Sequence, residues 1–330
     1  MSLSQMMRHV VLLSSGVAAW SLNTRPIVGI LTMPSSYSTF PDQSFFPASY
    51  VKFLEQAGAR VVPIPYDLSA SALSSLLSSL NGALFTGGAA AFFGSSSPHA
   101  PTAYAATAQR IYNEVASAAA NGETFPLWGT CLGHELIGVL AAGLDYSTSP
   151  LSGGFDSENL TAPVAWTAAA ADSRLWGAVP DVRAAFAAGG GIAYNAHSQG
   201  FTPADFDASA PLAAAFTVLG TSVDRAGKAF VASMEGKTLP VYTTQWHPEK
   251  SNFEWNGGAV YNDIDHSPAA IAANVYPATF FVNQARLNNR TFASSDDENA
   301  VLIYNFAPVF APATGLSNLF EQLYFFPASK

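Results

Sequence analysis

One cysteine, Cys131, serves all 330 residues. A single thiol cannot close an internal disulfide, so the fold must stand on its packed core. Charge is also scarce, at 11% of residues, with 14 basic side chains against 23 acidic ones and a formal net charge of -9. That balance excludes nucleic acid or an anionic membrane as the main partner, because both need a basic surface. It leaves open a local cationic pocket. Beyond the first twenty residues no run is long and apolar enough to span a bilayer. The sequence holds no Walker A run and no dinucleotide fingerprint. It has no cluster of Cys, His and carboxylates at metal-ligand spacing, so neither cofactor nor metal is expected. Internal repeats and an interdomain linker are absent too, and residues 25–330 read as a single domain.

What is present is apolar material, 49% of the chain, enough to bury a sizeable core. At the N-terminus, Arg8 and His9 precede VVLLSSGVAAW, which ends in small residues and is too short to cross a membrane. Residues 1–20 therefore read as a signal peptide, cleaved around Ala18 to Trp20, against the alternative of a disordered leader. Two acceptor sequons, Asn159-Leu160-Thr161 and Asn289-Arg290-Thr291, fit a secretory route, though such triplets also arise by chance. In an oxidising compartment an unpaired thiol is a liability, which points to a chemical role for Cys131. The competing reading is a buried cysteine acting as a small apolar residue.

From residue 25 short β-rich runs alternate with helical ones. PIVGILTM, ARVVPIPY, ALFTGG and FPLWGT read as strands. PASYVKFLEQAG, SASALSSLLSSLNG with Ser69 as N-cap, and residues 102–121 read as the helices between them. This alternation predicts an α/β fold, a three-layer sandwich around a mostly parallel sheet. AFVASMEG and LPVYTTQWHP read as a strand pair separated by Gly236. Residues 267–289 read as a long helix kinked or broken at Pro277, 150–195 as further strands and loops, and GSSSPHAP as a flexible loop near the site. In such sheets reacting groups gather at the carboxyl ends of strands, where both TGG and GTCLG fall.

Gly129-Thr130-Cys131-Leu132-Gly133 joins a strand to a helix in the manner of a nucleophile elbow. The helix dipole is expected to lower the thiol pKa. The amide of Leu132 and a second donor from the Gly87-Gly88 turn would hold an oxyanion. His247, in QWHPEK, also ends a strand run, and Glu249 lies two residues on. Alone, a His-x-Glu is more often a polar loop histidine stacked on its neighbouring Trp. With the cysteine, it fits the Cys–His–carboxylate logic of acyl transfer.

GTCLG paired with WHPE resembles the class I glutamine amidotransferase superfamily, whose fold is flavodoxin-like. SYVKFLEQAGARVVPI, LFTGG, FPLWGTCLGHE, SMEGKTLPVYTTQWHPEKSNFEW and FFVNQARLNN, in that order, resemble the γ-glutamyl hydrolase family more closely. The likeness runs from about residue 25 to the C-terminus around a poorly matching middle. It implies Cys131 as nucleophile, His247 as general acid/base and Glu249 as its carboxylate, with Leu132 and Gly88 as oxyanion donors. It further implies Glu135, Tyr50, His197 and Gly87 at the substrate, while Tyr50 equally reads as a core-facing aromatic on its helix. FTGG lacks the proline that usually precedes these glycines, and His134 stands where an apolar residue is usual. The implied activity is hydrolysis of γ-glutamyl amides through a thioester, on small-molecule substrates, the poly-γ-glutamyl folates. The implied setting is lysosomal, vacuolar or extracellular, commonly as a homodimer. The rivals are a glutaminase-type or small γ-glutamyl-amine hydrolase of the same superfamily, and a secreted inactive folate-binding relative.

Overall fold

The computed structural model describes residues 22–255, 262–314 and 320–329. The segment read as a signal peptide, 1–20, lies outside them. The central sheet has eight strands, named here in chain order: β1 (Ile27–Leu31), β2 (Arg60–Ile64), β3 (Ala83–Phe85), β4 (Leu127–Thr130), β5 (Ala165–Trp166), β6 (Phe216–Val223), β7 (Ala229–Gly236) and β8 (Val241–Thr244). Their spatial order is β2-β1-β3-β4-β8-β7-β6-β5. The first five neighbours in that order are parallel, and β7, β6 and β5 add antiparallel pairs at one edge.

Among the helices that cover this sheet are α1 (Ala48–Glu55), α2 (Ala70–Leu77), α3 (Ala103–Ala120), α4 (Leu132–Ala141) and α5 (Pro268–Ala285). Alternation along the strands feeds two cores, since successive side chains point to opposite faces. Ile27 and Leu31 of β1 pack with Leu73, Ile111 and Leu136 from α2, α3 and α4. Val28 and Ile30 pack on the other face with Tyr50, Leu54, Phe281 and Val282 from α1 and α5. A sheet buried on both faces is the expected state of βαβ units, and the three layers follow from it. The α/β reading of the sequence thus holds.

Helix starts agree with the local chemistry. Ser69 Oγ accepts from the Ala72 amide at the start of α2, and Thr102 Oγ1 accepts from Ala105 at the start of α3. Two features differ from expectation. Helix α5 runs through Pro277 without a break; the proline is buried, as are Ala273, Ala278 and Phe281 of the same helix, so burial of this face offsets one lost helical hydrogen bond. A separate four-stranded antiparallel sheet also joins Met33–Pro34 and Gln43–Pro47 to Gln322–Pro327 and Val309–Phe310. It ties the chain's last segment to the strand leading into α1. The stretch 150–195 forms the expected short strands and loops, but also the helix Pro180–Ala187, which the strand-and-loop reading missed.

Candidate active site

Register brings the functional segments together. In the parallel ladders Phe85 pairs with Gly129 and Thr130 with Thr244. Strands β3, β4 and β8 therefore end side by side, delivering Gly87-Gly88, Cys131 and His247 to one edge, the carboxyl edge where such sheets place their sites. The Cys131 amide donates to Thr244 O at 2.9 Å, which locks the two later strand ends together.

Cys131 has φ 51° and ψ -108°. That left-handed backbone is costly for a residue with a Cβ, and here it lifts the thiol out of the strand at the first turn of α4. The flanking glycines answer the crowding that results. A Cβ on Gly133 would lie 2.3 Å from Phe85 O, and one on Gly129 2.6 Å from Gly133 O. The Leu132 amide points at the sulfur, and as the first helical N–H it has no partner within α4. Gly88 lies beside it, where a Cβ would meet Met33 Sδ at 2.4 Å. The thiol is 4% exposed, and its Sγ lies 3.8 Å from Ala196 O.

Here one expectation is corrected. Burial, with the nearby carboxylates of Glu135 and Glu249, pushes the Cys131 thiol well above its ordinary pKa, and the Leu132 amide only partly offsets this. At rest the sulfur carries its proton. The helix terminus alone does not make a thiolate; a base must.

His247 supplies one. It follows Trp246, whose side chain turns to the opposite face and packs 5.0 Å from Phe186 and 5.8 Å from Trp176. The histidine is thus not a loop residue stacked on its tryptophan. Its amide donates to Tyr194 O at 2.8 Å. Nδ1 lies 2.7 Å from Glu249 Oε1, while Nε2 is buried with no hydrogen-bond partner among the described residues. Burial opposes ionisation of Glu249, yet the facing His247 and then Lys250 hold its carboxyl below the usual range. The imidazole and the cysteine converge on Gly87: a Cβ there would lie 2.5 Å from His247 Cε1 and 3.3 Å from Cys131 Cβ.

Tyr50 and Gly87 belong to this machinery rather than to a cleft wall. The Tyr50 hydroxyl, 1% exposed, accepts from the Gly87 amide at 2.7 Å and lies 3.3 Å from His247 Nδ1. The Gly87 N–H is thereby spent, which leaves Gly88 as the residue of that turn still open to the cleft. Both were expected at the substrate; the hydroxyl's buried partners place them behind the reacting groups.

In front of Cys131 opens a cleft of about 810 Å³. Its walls include Gly88 to Phe93, Leu132, Glu135, Tyr146 and His197. Glu135, buried, accepts from Gln245 Nε2 at 3.0 Å, and burial pushes its carboxyl up to about 7. His197 presents Nε2 without a partner because Nδ1 donates to Gln199 O at 2.7 Å; burial lowers its pKa to about 4. The loop 94–101 is pinned at its base by the Phe93–Pro101 pairing, and His99 stacks on Tyr146 at the cleft rim. His134 faces Thr243 Oγ1 at 2.8 Å inside the core, with burial and His197 lowering its pKa to about 3, so it is a neutral packed histidine.

Gln245 and Lys250 escaped the sequence reading. Gln245 is two residues before His247, on the same side of an extended run, and that spacing was the available signal. Lys250, in the quoted HPEK, is 1% exposed with its ammonium 4.7 Å from the Phe320 ring. A lysine that close to a buried glutamate is legible only once burial is known.

The sequence profile of the peptidase C26 family matches residues 26–249. Gamma-glutamyl hydrolase B of Dictyostelium discoideum is 35% identical over 312 residues, covering 94% of this chain and 85% of the relative. Gamma-glutamyl hydrolase of Homo sapiens is 36% identical over 305 residues, covering 92% and 90%. Gamma-glutamyl hydrolase 1 of Arabidopsis thaliana is 30% identical over 313 residues, covering 93% and 84%.

Proposed function

From the premise that the chain belongs to the peptidase C26 family, we propose that Cys131, His247 and Glu249 form its hydrolytic centre, with poly-γ-glutamyl folates as its substrates. The bond class is the γ-glutamyl amide, and the enzyme is a cysteine-type γ-glutamyl hydrolase. One observation supports the residue roles above the others: His247 is held through Nδ1 by Glu249 at 2.7 Å, Nε2 is left without a partner, and the ring and the elbow cysteine meet on either side of Gly87.

The steps follow from that arrangement. Glu249 fixes the tautomer with hydrogen on Nδ1, so Nε2 is the basic nitrogen. Nε2 takes the Cys131 proton as sulfur attacks the side-chain carbonyl of the glutamyl residue, and Glu249 steadies the imidazolium that forms. The amides of Leu132 and Gly88 stabilise the oxyanion. Collapse expels the leaving amine, which takes the proton from Nε2, and a γ-glutamyl thioester remains on Cys131. His247 then deprotonates water for attack on the thioester, and the thiol is restored. A resting thiol protonated by burial suits this sequence, because the proton leaves only when substrate and base are both in place.

Rapid acid quench followed by intact-mass measurement, with digestion to locate the adduct, tests the mechanism. A glutamyl adduct on Cys131, and no turnover by Cys131→Ala, are expected; unchanged activity in that variant refutes it. Glu135 and Glu158 on the cleft wall would also suit a free α-ammonium, which favours small γ-glutamyl amines as a second reading. Mass spectrometry of products from pteroyl-polyglutamate and from glutamine separates the two: glutamine turnover without chain shortening supports the second.

A further inference from the structure

Behind the imidazole the fold buries more charge than the hydrolytic centre uses. Glu249 and Lys250 are each 1% exposed and Glu254 is 2% exposed, all on the segment that follows His247. Lys250 opens the short helix Lys250–Phe253, and Glu254, one turn on, donates its amide to Lys250 O at 3.0 Å. Aromatic rings enclose the ammonium. It lies 4.7 Å from the Phe320 ring and 6.0 Å from that of Tyr194, distances at which an aromatic face attracts a cation. The Tyr194 ring is in turn 6.3 Å from the imidazole of His247, and the Tyr194 carbonyl accepts the His247 amide. Glu254 Oε2 accepts from the Glu321 amide at 2.7 Å, so the chain entering the last strand of the second sheet closes over the cluster.

Charge removed from water is costly unless it is paired, and here the pairing is shared. The groups facing Glu249 include His247 and Lys250 from its own segment, Tyr50 from α1 and Cys131 from the elbow. Those facing Lys250 include Glu249 and Glu254. Two carboxylates on one ammonium leave the cluster with a single negative charge at rest. That charge is cancelled when Nε2 of His247 takes the thiol proton. Without the ammonium two buried carboxylates would compete, and one would take up a proton. Without Glu254 the imidazolium would have to form in a cluster already neutral. Neither Lys250 nor Glu254 is part of the cleft wall.

On the assignment of Cys131, His247 and Glu249 as the hydrolytic centre, we propose that Lys250 is its positioning residue, holding Glu249 as the carboxylate that orients and steadies His247, and that Glu254 tempers the charge Lys250 supplies. Lys250 acts through Glu249 and touches no substrate. The second sheet thereby gains a role at the site, because Phe320 and Glu321 keep water from the ammonium.

Three variants of the full chain test this. Lys250→Met keeps the stem and drops the charge, Lys250→Arg keeps the charge, and Glu254→Gln removes the second carboxylate. Cys131 is the sole cysteine, so its alkylation by iodoacetamide, followed by intact mass across a pH series, reads the centre with no substrate present. The kcat/KM for an uncharged γ-glutamyl amide is measured over the same series. Removing a buried cation makes every nearby acid hold its proton more tightly. The rise in alkylation and the acid limb of kcat/KM should therefore both move up by at least about half a pH unit in Lys250→Met. They should return toward the wild-type position in Lys250→Arg and move down in Glu254→Gln. KM should stay within about twofold. A lysine that only fills space lowers the melting temperature and leaves the limbs where they are. Unmoved limbs in folded Lys250→Met, or limbs moving the same way in Lys250→Met and Glu254→Gln, overturn the proposal. Should Lys250→Met not fold, Glu254→Gln decides alone, and an upward or absent shift there overturns it. His247→Ala separates the two levels. Alkylation that ignores this change sinks the hydrolytic centre and the role of Lys250 with it, whereas a profile that depends on His247 but not on Lys250 or Glu254 sinks the role of Lys250 alone.

Discussion

Removing one hydroxyl, in Tyr50→Phe, separates two roles for that residue. The hydroxyl accepts from Gly87 N–H at 2.7 Å and sits 3.3 Å from His247 Nδ1, fully enclosed. Burial, then the charges of Glu249 and Cys131, push its pKa well above the ordinary phenol value, so it remains a neutral O–H. With its lone pair given to Gly87, its proton faces the Glu249–His247 pair. Phenylalanine leaves the Gly87 amide without a partner, a cost of about 1–3 kcal/mol. For a chain of this size that lowers Tm by roughly 2–4 °C per kcal/mol at most. The turn carrying Gly88 and the imidazole lose their shared anchor, and one such hydrogen bond at about 1.4 kcal/mol corresponds to roughly a tenfold fall in kcat. KM should stay within about twofold, because the hydroxyl meets no substrate. Thermal melts and steady-state kinetics on a γ-glutamyl amide give all three quantities. Unchanged kcat with a raised KM would refute the argument and return Tyr50 to the substrate.

Gly87→Ala places a methyl carbon 2.5 Å from His247 Cε1 and 2.7 Å from the Tyr50 hydroxyl. Such overpacking costs about 1–3 kcal/mol and displaces the base, so kcat should fall at least tenfold; wild-type kcat would show that the turn yields elsewhere. Glu135 carries a carboxyl raised from 4.5 to about 7 by burial. Its neutral form is favoured in the fold, so this stability is fully present below the unfolded pKa and is lost as pH rises through 7. The loss amounts to roughly 3 kcal/mol at 1.36 kcal/mol per pKa unit. Ionised Glu135 also disfavours the thiolate of Cys131, so kcat/KM should decline through pH 7, and Glu135→Gln should flatten both profiles between pH 5 and 8. A declining limb that persists in the variant assigns it to another group.

The parallel half of the fold was legible because each strand and helix carries local signals of its own. Ser69 caps the helix it precedes, ALF runs into Gly87-Gly88, and LWGT runs into the elbow. The second sheet was not legible, since Gln43–Pro47 finds its main partner in Gln322–Pro327, and pairing at such separation leaves no local trace. Cys131 and His247 could be paired from the sequence because strand ends in an α/β sheet gather at one edge. The protonation of the thiol was not found: a helix terminus is visible in sequence, but the burial that overrides it, and the carboxylates of Glu135 and Glu249 that add to it, come together only in the fold. Tyr50 was left between two readings, cleft and core, for a related reason. A helix face can be read as inward from its spacing, yet whether inward means cleft or machinery is decided by Gly87 and Glu249, which lie on other elements.

Charge leads to a last expectation, concerning salt. The chain carries a net -9, and the cleft walls offer Glu135 and Glu158 but no lysine or arginine among the described residues. A poly-γ-glutamyl tail bears a carboxylate on every unit, so its approach meets repulsion at long range, and its carboxylates are left to peptide N–H groups and the hydroxyls of Ser149 and Ser198 at short range. Repulsion between like charges reaches about 30 Å at 0.01 M salt and about 8 Å at 0.15 M. Raising salt across that interval should therefore increase kcat/KM, by at least about twofold for a long tail, because association rates respond steeply to the field of the whole protein. kcat should not move, and a γ-glutamyl amide with no net charge should show a flat profile. Tail length supplies the internal control: the salt dependence must steepen from two glutamates to five. If kcat/KM instead falls with salt, the tail is drawn in by cations, and substrate recognition lies on a surface other than this cleft.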